Sequence, residues 1–112
     1  MSPRRWTLEA ARAILPDVRA RTAEAVRQVE ALAERRDAEP AGSEARLALD
    51  QQIAREVSRW LRGMEALGVD VKGAWLVDFD TGNGYYCWRW PEERLEYFHG
   101  YDEGFAGRAR IQ

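Results

Sequence analysis

The fold of this chain is decided by the segment WLVDFDTGNGYYCWRW, from Trp75 to Trp90. Apolar and polar positions alternate on both sides of a Thr-Gly-Asn-Gly turn, which is typical of two half-buried strands joined as a hairpin. Residues 91–94 have turn composition as well. The pattern therefore predicts a three-stranded antiparallel meander, with strands near 74–80, 85–90 and 95–99.

Two connections of four residues each would set the register of this meander. The cross-strand pairs predicted on one face are Trp75–Trp90, Val77–Trp88, Phe79–Tyr86, Trp90–Leu95, Trp88–Tyr97 and Tyr86–His99. That face is aromatic and apolar, so we expect it to cover the core and expect Trp88→Ala to destabilise the domain. On the other face Arg89 would lie across from Glu96, an opposite-charge pair that supports this register. In this register Cys87 and His99 point to opposite faces.

Residues 7–67 change to helical spacing. A coiled-coil-like seam is formed by Leu8, Ala11, Leu15, Val18, Thr22, Ala25, Val29 and Leu32, at spacings of three and four. The second apolar face comprises Leu49, Ile53, Val57, Trp60 or Leu61, Met64 and Leu67. The turn composition of residues 37–42 separates the two helices. A short connection predicts antiparallel neighbours, so this part reads as a long helical hairpin.

The ends of both helices carry recognisable signals. Thr7 and Ser43 are predicted N-caps, and Gly68 stands where a left-handed C-terminal cap usually lies. Pro16 interrupts the first helix, so we expect either a kink near residues 12–16 or a short first helix. The seam keeps its phase across the proline, which favours the kink.

The chain has the size of one domain, and we predict an α+β fold over residues 1–112. The hairpin of residues 7–67 would be covered by a meander and tail in residues 69–112. A formal charge of −2 argues against a nucleic-acid partner, and the aromatic face is needed for the core rather than for stacking bases. A single cysteine and the lack of a long apolar run predict a reduced, cytoplasmic protein with no membrane association.

Several segments together resemble a prokaryotic family catalogued as domain of unknown function 2203. They are Leu8-Glu9-Ala10-Ala11-Arg12 with Leu15-Pro16, residues 68–72, Leu76-Val77-Asp78-Phe79, Cys87-Trp88-Arg89, and His99 through Arg108. The resemblance covers nearly the whole chain. It implies a bacterial origin and a single domain, and it implies no activity, substrate or cofactor.

The C-terminal tail, residues 99–108, is the segment whose composition indicates a role beyond packing. Candidate ligand-binding residues are His99, Asp102, Glu103 and Arg108, with Asp78 and Cys87 as additional members. Among them, nitrogen, oxygen and sulfur donors for zinc or a similar ion are offered by His99, Asp102, Glu103 and Cys87, although their spacing matches no established metal pattern. They also offer an acid–base pair of His99 with a carboxylate, although Cys87 is more readily explained as a buried, inert thiol. No metal or cofactor is assigned, and whether the chain is an enzyme stays open.

Two alternatives complete the set of candidate sites. In the first, the glycines around Phe105 let the backbone approach an anion that Arg108 binds. The same glycines could instead form a turn in which Phe105 packs into the core, and Arg108 could pair with Asp102 or Glu103. The outer surface of the hairpin carries apolar residues off the main seam: Ile14, Val26, Ala33 and Leu47. This surface favours a homodimer built as a four-helix bundle. A self-associating interaction or scaffold module is therefore the first functional hypothesis, and a ligand-binding, metal-binding or catalytic tail is the second.

Overall fold

The computed structural model describes residues 4–112. It contains two packed helices followed by an antiparallel sheet, which confirms the predicted α+β class. Met1, Ser2 and Pro3 belong to the predicted domain of residues 1–112 and lie outside the described residues. No helix within residues 4–112 is long and apolar enough to cross a membrane.

Helix α1 spans Leu8–Asp37 and helix α2 spans Glu44–Leu67. The side-chain oxygens of Thr7 and Ser43 accept the backbone N–H groups of Ala10 and Arg46 at 3.0 and 3.1 Å, as predicted for N-caps. Gly68 ends α2 in the left-handed region at φ 87°, also as predicted. Helix α1 runs through Pro16 without interruption, so the alternative of a short first helix is wrong.

The sheet has five strands in the order β1-β2-β3-β4-β5, each antiparallel to its neighbour. The strands are β1 Asp70–Gly73, β2 Leu76–Asp80, β3 Tyr85–Arg89, β4 Tyr97–His99 and β5 Ala109–Arg110. The three predicted strands correspond to β2, β3 and β4. The two edge strands were not predicted because β1 has four residues including a glycine and β5 has two, too few to show alternation.

The register of the first hairpin is the predicted one. Val77 pairs with Trp88 and Phe79 pairs with Tyr86, so these four side chains share one face. Val77, Phe79 and Trp88 have no exposed surface, and Tyr86 packs against the same cluster. The aromatic face of the sheet is therefore buried, as predicted.

The register of the second hairpin differs from the prediction by one residue. Tyr86 pairs with Phe98 rather than His99, and Tyr85 pairs with His99. The connection from β3 to β4 occupies residues 90–96 rather than four residues, because it carries Leu95 into the core, where it is 1% exposed. A one-residue slip exchanges the two faces of a strand. His99 therefore lies on the face opposite to the one predicted.

The predicted Arg89–Glu96 pair is consequently wrong. Glu96 forms its ion pair with Arg110 of β5 at 2.6 Å. The backbone N–H of Arg89 instead donates to the Glu92 carboxylate at 2.8 Å, within the connection that follows β3. This connection brings Glu92 close to the C-terminal tail.

The core lies between the helical hairpin and the aromatic face of the sheet. Trp6, just before α1, packs edge-on against Phe79 with ring centroids 5.1 Å apart and donates its indole N–H to Gly68 O at 3.0 Å. Inside the hairpin, the Trp60 indole N–H donates to the buried Thr22 hydroxyl at 2.9 Å. The sheet thus has one face committed to the core and the other free for a site.

Candidate functional site

Three chemically different donors meet on the sheet face that points away from the helices. Asp78 lies in the middle of β2, Cys87 lies directly opposite on β3, and His99 ends β4. They are 1%, 1% and 3% exposed. One carboxylate oxygen, the thiol sulfur and one imidazole nitrogen all lie within 4.8 Å of one another. We call these three residues the triad.

The prediction that Cys87 and His99 point to opposite faces is therefore wrong. The pairing of Tyr85 with His99 places the imidazole one diagonal step from Cys87, on the same face. The His99 ring lies beside Tyr85, with ring centroids 5.4 Å apart, and not beside Tyr86. The longer β3–β4 connection is thus what assembles the triad.

Hydrogen bonds define the orientation of the His99 ring. Its Nδ1 lies 2.8 Å from the carbonyl oxygen of Gly100, and its Nε2 lies 2.9 Å from Asp78 Oδ2. Because a carbonyl oxygen can only accept, Nδ1 carries a hydrogen. The 2.9 Å contact of Nε2 with Asp78 Oδ2 then requires a proton on one of these two atoms, because two lone pairs would otherwise face each other. A metal ion could take the place of that proton, as in histidines that ligate a metal through Nε2 and donate Nδ1–H to a carbonyl.

The Asp78 carboxyl is incompletely satisfied. Its Oδ1 is buried and has no hydrogen-bond partner among residues 4–112. Burial raises the pKa of Asp78, and the neighbouring Cys87 and His99 side chains partly oppose that rise. A buried carboxylate oxygen without a partner costs free energy, so its presence in this position calls for an explanation such as a bound ion.

The Cys87 thiol is free and buried. Burial and, next, the negative charge of Asp78 raise its pKa to about 12, and the nearby Arg108 guanidinium acts in the opposite direction. Such a thiol is not a nucleophile at neutral pH in the free protein. Cys87 can act here as a metal ligand, because a coordinated thiol loses its proton to the ion's charge.

The tail covers part of the triad, but its acidic residues do not join it. The carboxylate that contacts His99 is Asp78, rather than Asp102 or Glu103. Glu103 accepts the backbone N–H of Gly100 at 2.6 Å and so stabilises the turn after β4. Asp102 and Glu103 are both exposed. They line the pocket above the triad and remain outside its cluster of donors.

Arg108, just before β5, extends its side chain to Cys87 and to the β3–β4 connection. Its guanidinium pairs bidentately with Glu92, at N···O distances of 3.1 and 2.9 Å. The predicted ion pair of Arg108 with Asp102 or Glu103 is therefore wrong. Its Nη1 also lies 3.9 Å from Cys87 Sγ. Because Glu92 already neutralises the guanidinium, this geometry does not favour anion capture by Arg108.

Phe105 does not plug the core as the turn interpretation expected. It begins a short 3₁₀ turn, Phe105–Gly107, and its side chain is 38% exposed. The ring lies against the Arg108 guanidinium, with 4.1 Å between the guanidinium carbon and the ring centroid. The turn thus packs on the outer face of the sheet, beside the triad.

A pocket of about 490 Å³ lies over the triad. Its wall includes two residues that sequence reasoning missed, Lys72 of β1 and Tyr85 of β3, whose Nζ and hydroxyl oxygen lie 3.2 Å apart. The exposed side chain of Tyr101 and the exposed tail turn form the opposite wall. Nothing in the local sequence marks Lys72, since β1 itself was not predicted. The pocket thus lies directly beside the triad, although no triad residue is more than 3% exposed.

Comparison with known proteins gives one match. The model of a family described as an uncharacterized conserved protein, DUF2203, matches residues 4–111. No curated protein and no solved structure matches the chain. The match covers both helices, the whole sheet and every member of the triad.

Proposed function

Since the chain belongs to the DUF2203 family, whose description names no activity, we propose a function from the site itself: the domain binds a zinc-like divalent transition metal through Asp78, Cys87 and His99. The observation that carries the proposal is the convergence of these three buried donors, with one ligand atom of each within 4.8 Å of the others, beside a carboxyl group whose Oδ1 has no partner among residues 4–112.

The chemistry of the donors selects the class of metal. A thiolate and an imidazole suit zinc, cobalt and related transition ions, whereas magnesium and calcium prefer oxygen donors throughout. With Asp78 and Cys87 ionised, the two negative charges of the triad balance a divalent cation. An ion bound by both carboxylate oxygens of Asp78 would also give Oδ1 the partner that it lacks among residues 4–112.

The spacing of the donors fits an ion after a small adjustment. His99 Nε2 and Asp78 Oδ2 are 2.9 Å apart. Two such donors bound to one tetrahedral zinc ion at about 2.0–2.2 Å would lie roughly 3.4 Å apart. A small rotation of the Asp78 carboxyl group would supply this difference, with the ion replacing the present contacts of that group with His99 and Cys87.

Three protein ligands leave a fourth tetrahedral position. Structural zinc sites are usually closed by four protein ligands, whereas sites that exchange a water or a substrate keep one position open. The pocket of about 490 Å³ is lined in part by the three triad residues. We therefore infer that the bound metal carries an exchangeable ligand from this pocket.

Cobalt(II) titration of chelator-treated protein tests the proposal. The expected result is one equivalent bound, with tetrahedral d–d bands and a sulfur-to-cobalt charge-transfer band, and displacement by zinc. Cys87→Ser should lose the charge-transfer band. Each of Cys87→Ser, His99→Asn and Asp78→Asn should bind more than about 100-fold more weakly, since even lost outer-shell partners typically cost 10–100-fold.

Asp102→Asn and Glu103→Gln are the matched controls, because both carboxylates line the same pocket outside the triad. They should bind cobalt as the unchanged protein does. Protein that binds no stoichiometric cobalt, or binds it equally well without Cys87 and His99, would show that the triad is only a structural hydrogen-bond cluster.

Self-association through the helical hairpin is a second candidate, supported by the exposure of its distal part. In α1 the buried positions end at Ala25, while Val29 and Leu32 continue the seam half-buried. Leu47 on α2 is 58% exposed. A second copy of the chain, pairing as a four-helix bundle, would cover these side chains.

We also propose a cytoplasmic location. A reducing compartment suits the triad because Cys87 must remain an unoxidised thiol to bind a metal.

A further inference from the structure

We propose that Arg108 is a positioning residue for the metal site and that its guanidinium donates an N–H to the metal-bound sulfur of Cys87. This inference rests on the proposed function and adds a residue that holds no metal itself. Its basis is the 3.9 Å approach of Arg108 Nη1 to Cys87 Sγ.

The Arg108 guanidinium contacts one carboxylate and two aromatic rings. Its Nη1 and Nη2 donate to the two carboxylate oxygens of Glu92 at 3.1 and 2.9 Å. The rings of Tyr97 and Phe105 lie against it, with centroids 4.0 and 4.1 Å from the guanidinium carbon. The Arg108 side chain is 12% exposed. A planar, forked cation fixed by a carboxylate and two rings has little freedom to leave Cys87.

Glu92 is itself anchored to the sheet and to the core. Its Oε1 accepts the backbone N–H of Arg89, and its carbonyl oxygen accepts the Trp88 indole N–H, both at 2.8 Å. The same carbonyl accepts the Arg19 side chain of α1 at 3.2 Å. The connection that assembles the triad therefore also aims Arg108 at Cys87.

This arrangement has the form of an outer-shell hydrogen bond. Nη1 carries two hydrogens, so one can serve Glu92 while the other points at the sulfur. Hydrogen bonds to an ionised acceptor are stronger than those to a neutral one, so the contact should tighten when Cys87 becomes a metal-bound thiolate. Lys72, the cation that lines the pocket, is engaged with the Tyr85 hydroxyl at 3.2 Å.

The test compares cobalt(II) binding by the unchanged protein, Arg108→Gln and Arg108→Lys. In Arg108→Gln, which lacks the guanidinium, the affinity for cobalt(II) should fall by about 10–100-fold, the usual effect of losing an outer-shell partner. The sulfur-to-cobalt band should move to longer wavelength, because a thiolate that accepts no hydrogen bond gives up charge more easily. Lysine keeps the charge but cannot form the fork, so it should restore only part of either change.

Arg110→Gln is the matched control. Arg110 follows Arg108 by two residues, pairs with Glu96 at 2.6 Å, and also lies over the Tyr97 ring, at 5.3 Å. Its replacement should leave affinity and spectrum unchanged. Circular dichroism and thermal unfolding identify the folded variants, and Arg108→Lys provides the measurement if Arg108→Gln does not fold.

The outcomes separate the two proposals. If the unchanged protein binds no cobalt, the metal site and this inference both fail. If it binds cobalt, and folded Arg108 variants show the same affinity and charge-transfer band, Arg108 only holds the tail on the sheet and the inference alone is overturned. A loss of cobalt affinity and a shift of the charge-transfer band in the Arg108 variants, with neither change in Arg110→Gln, would support the inference.

Discussion

At the scale of single residues, Gly84 is the position where the meander tolerates no side chain. It lies in the β2–β3 turn at φ 154°, and an added Cβ would come within 2.7 Å of His99 O and 2.5 Å of the Phe98 ring. We expect Gly84→Ala to lower the free energy of unfolding by about 1–3 kcal/mol, as overpacking a closed site does. Urea denaturation measures this change.

The comparison for that variant is Gly42→Ala. Gly42 also has positive φ, at 78°, but an added Cβ would meet no atom of residues 4–112 within 4 Å. It should cost about 1 kcal/mol from backbone strain alone. Equal effects at the two positions would mean that Gly84 is required for its backbone conformation rather than for the close approach of β4.

At the scale of elements, strand β3 contributes side chains to both faces of the sheet. Trp88 packs toward the helices, and Cys87 belongs to the triad on the opposite face. Trp88 is fully buried. Trp88→Ala should lower the free energy of unfolding by about 3–5 kcal/mol, because it leaves a large cavity under the sheet. Chemical denaturation followed by far-ultraviolet circular dichroism checks it. A loss below about 1 kcal/mol would contradict the observed burial.

At the scale of the whole molecule, the sheet covers only part of the hairpin. Helix α1 has 30 residues, a length of about 45 Å at 1.5 Å per residue, yet its buried positions lie between Ala11 and Ala25. If hairpins pair, native mass spectrometry at micromolar concentration should show a dimer. Leu47→Glu should shift it to monomer, and Ala45→Glu, which adds the same charge to another side of α2, should not. A monomeric mass of the unchanged chain would end the idea.

Local signals in the sequence were enough to predict much of the fold. Thr7, Ser43 and Gly68 act within one turn of helix, so their capping roles need no tertiary information. The β2–β3 hairpin is similarly local, since only Thr81-Gly82-Asn83-Gly84 separates its two strands. Short edge strands carry too few residues for any such pattern, and β1 and β5 form only because β2 and β4 offer them unpaired backbone groups.

The helical hairpin and the meander follow from local sequence patterns, and the sequence also supplies the candidate site residues Asp78, Cys87, His99 and Arg108. Which of these residues meet depends on long-range packing that no local pattern shows. Leu95 entering the core lengthens the β3–β4 connection, and this moves β4 by one residue. Because side chains alternate with a period of two, that single step brings His99 to the face of Asp78 and Cys87. The packing of Leu95 in the core thus sets the geometry of the site on the opposite face of the sheet.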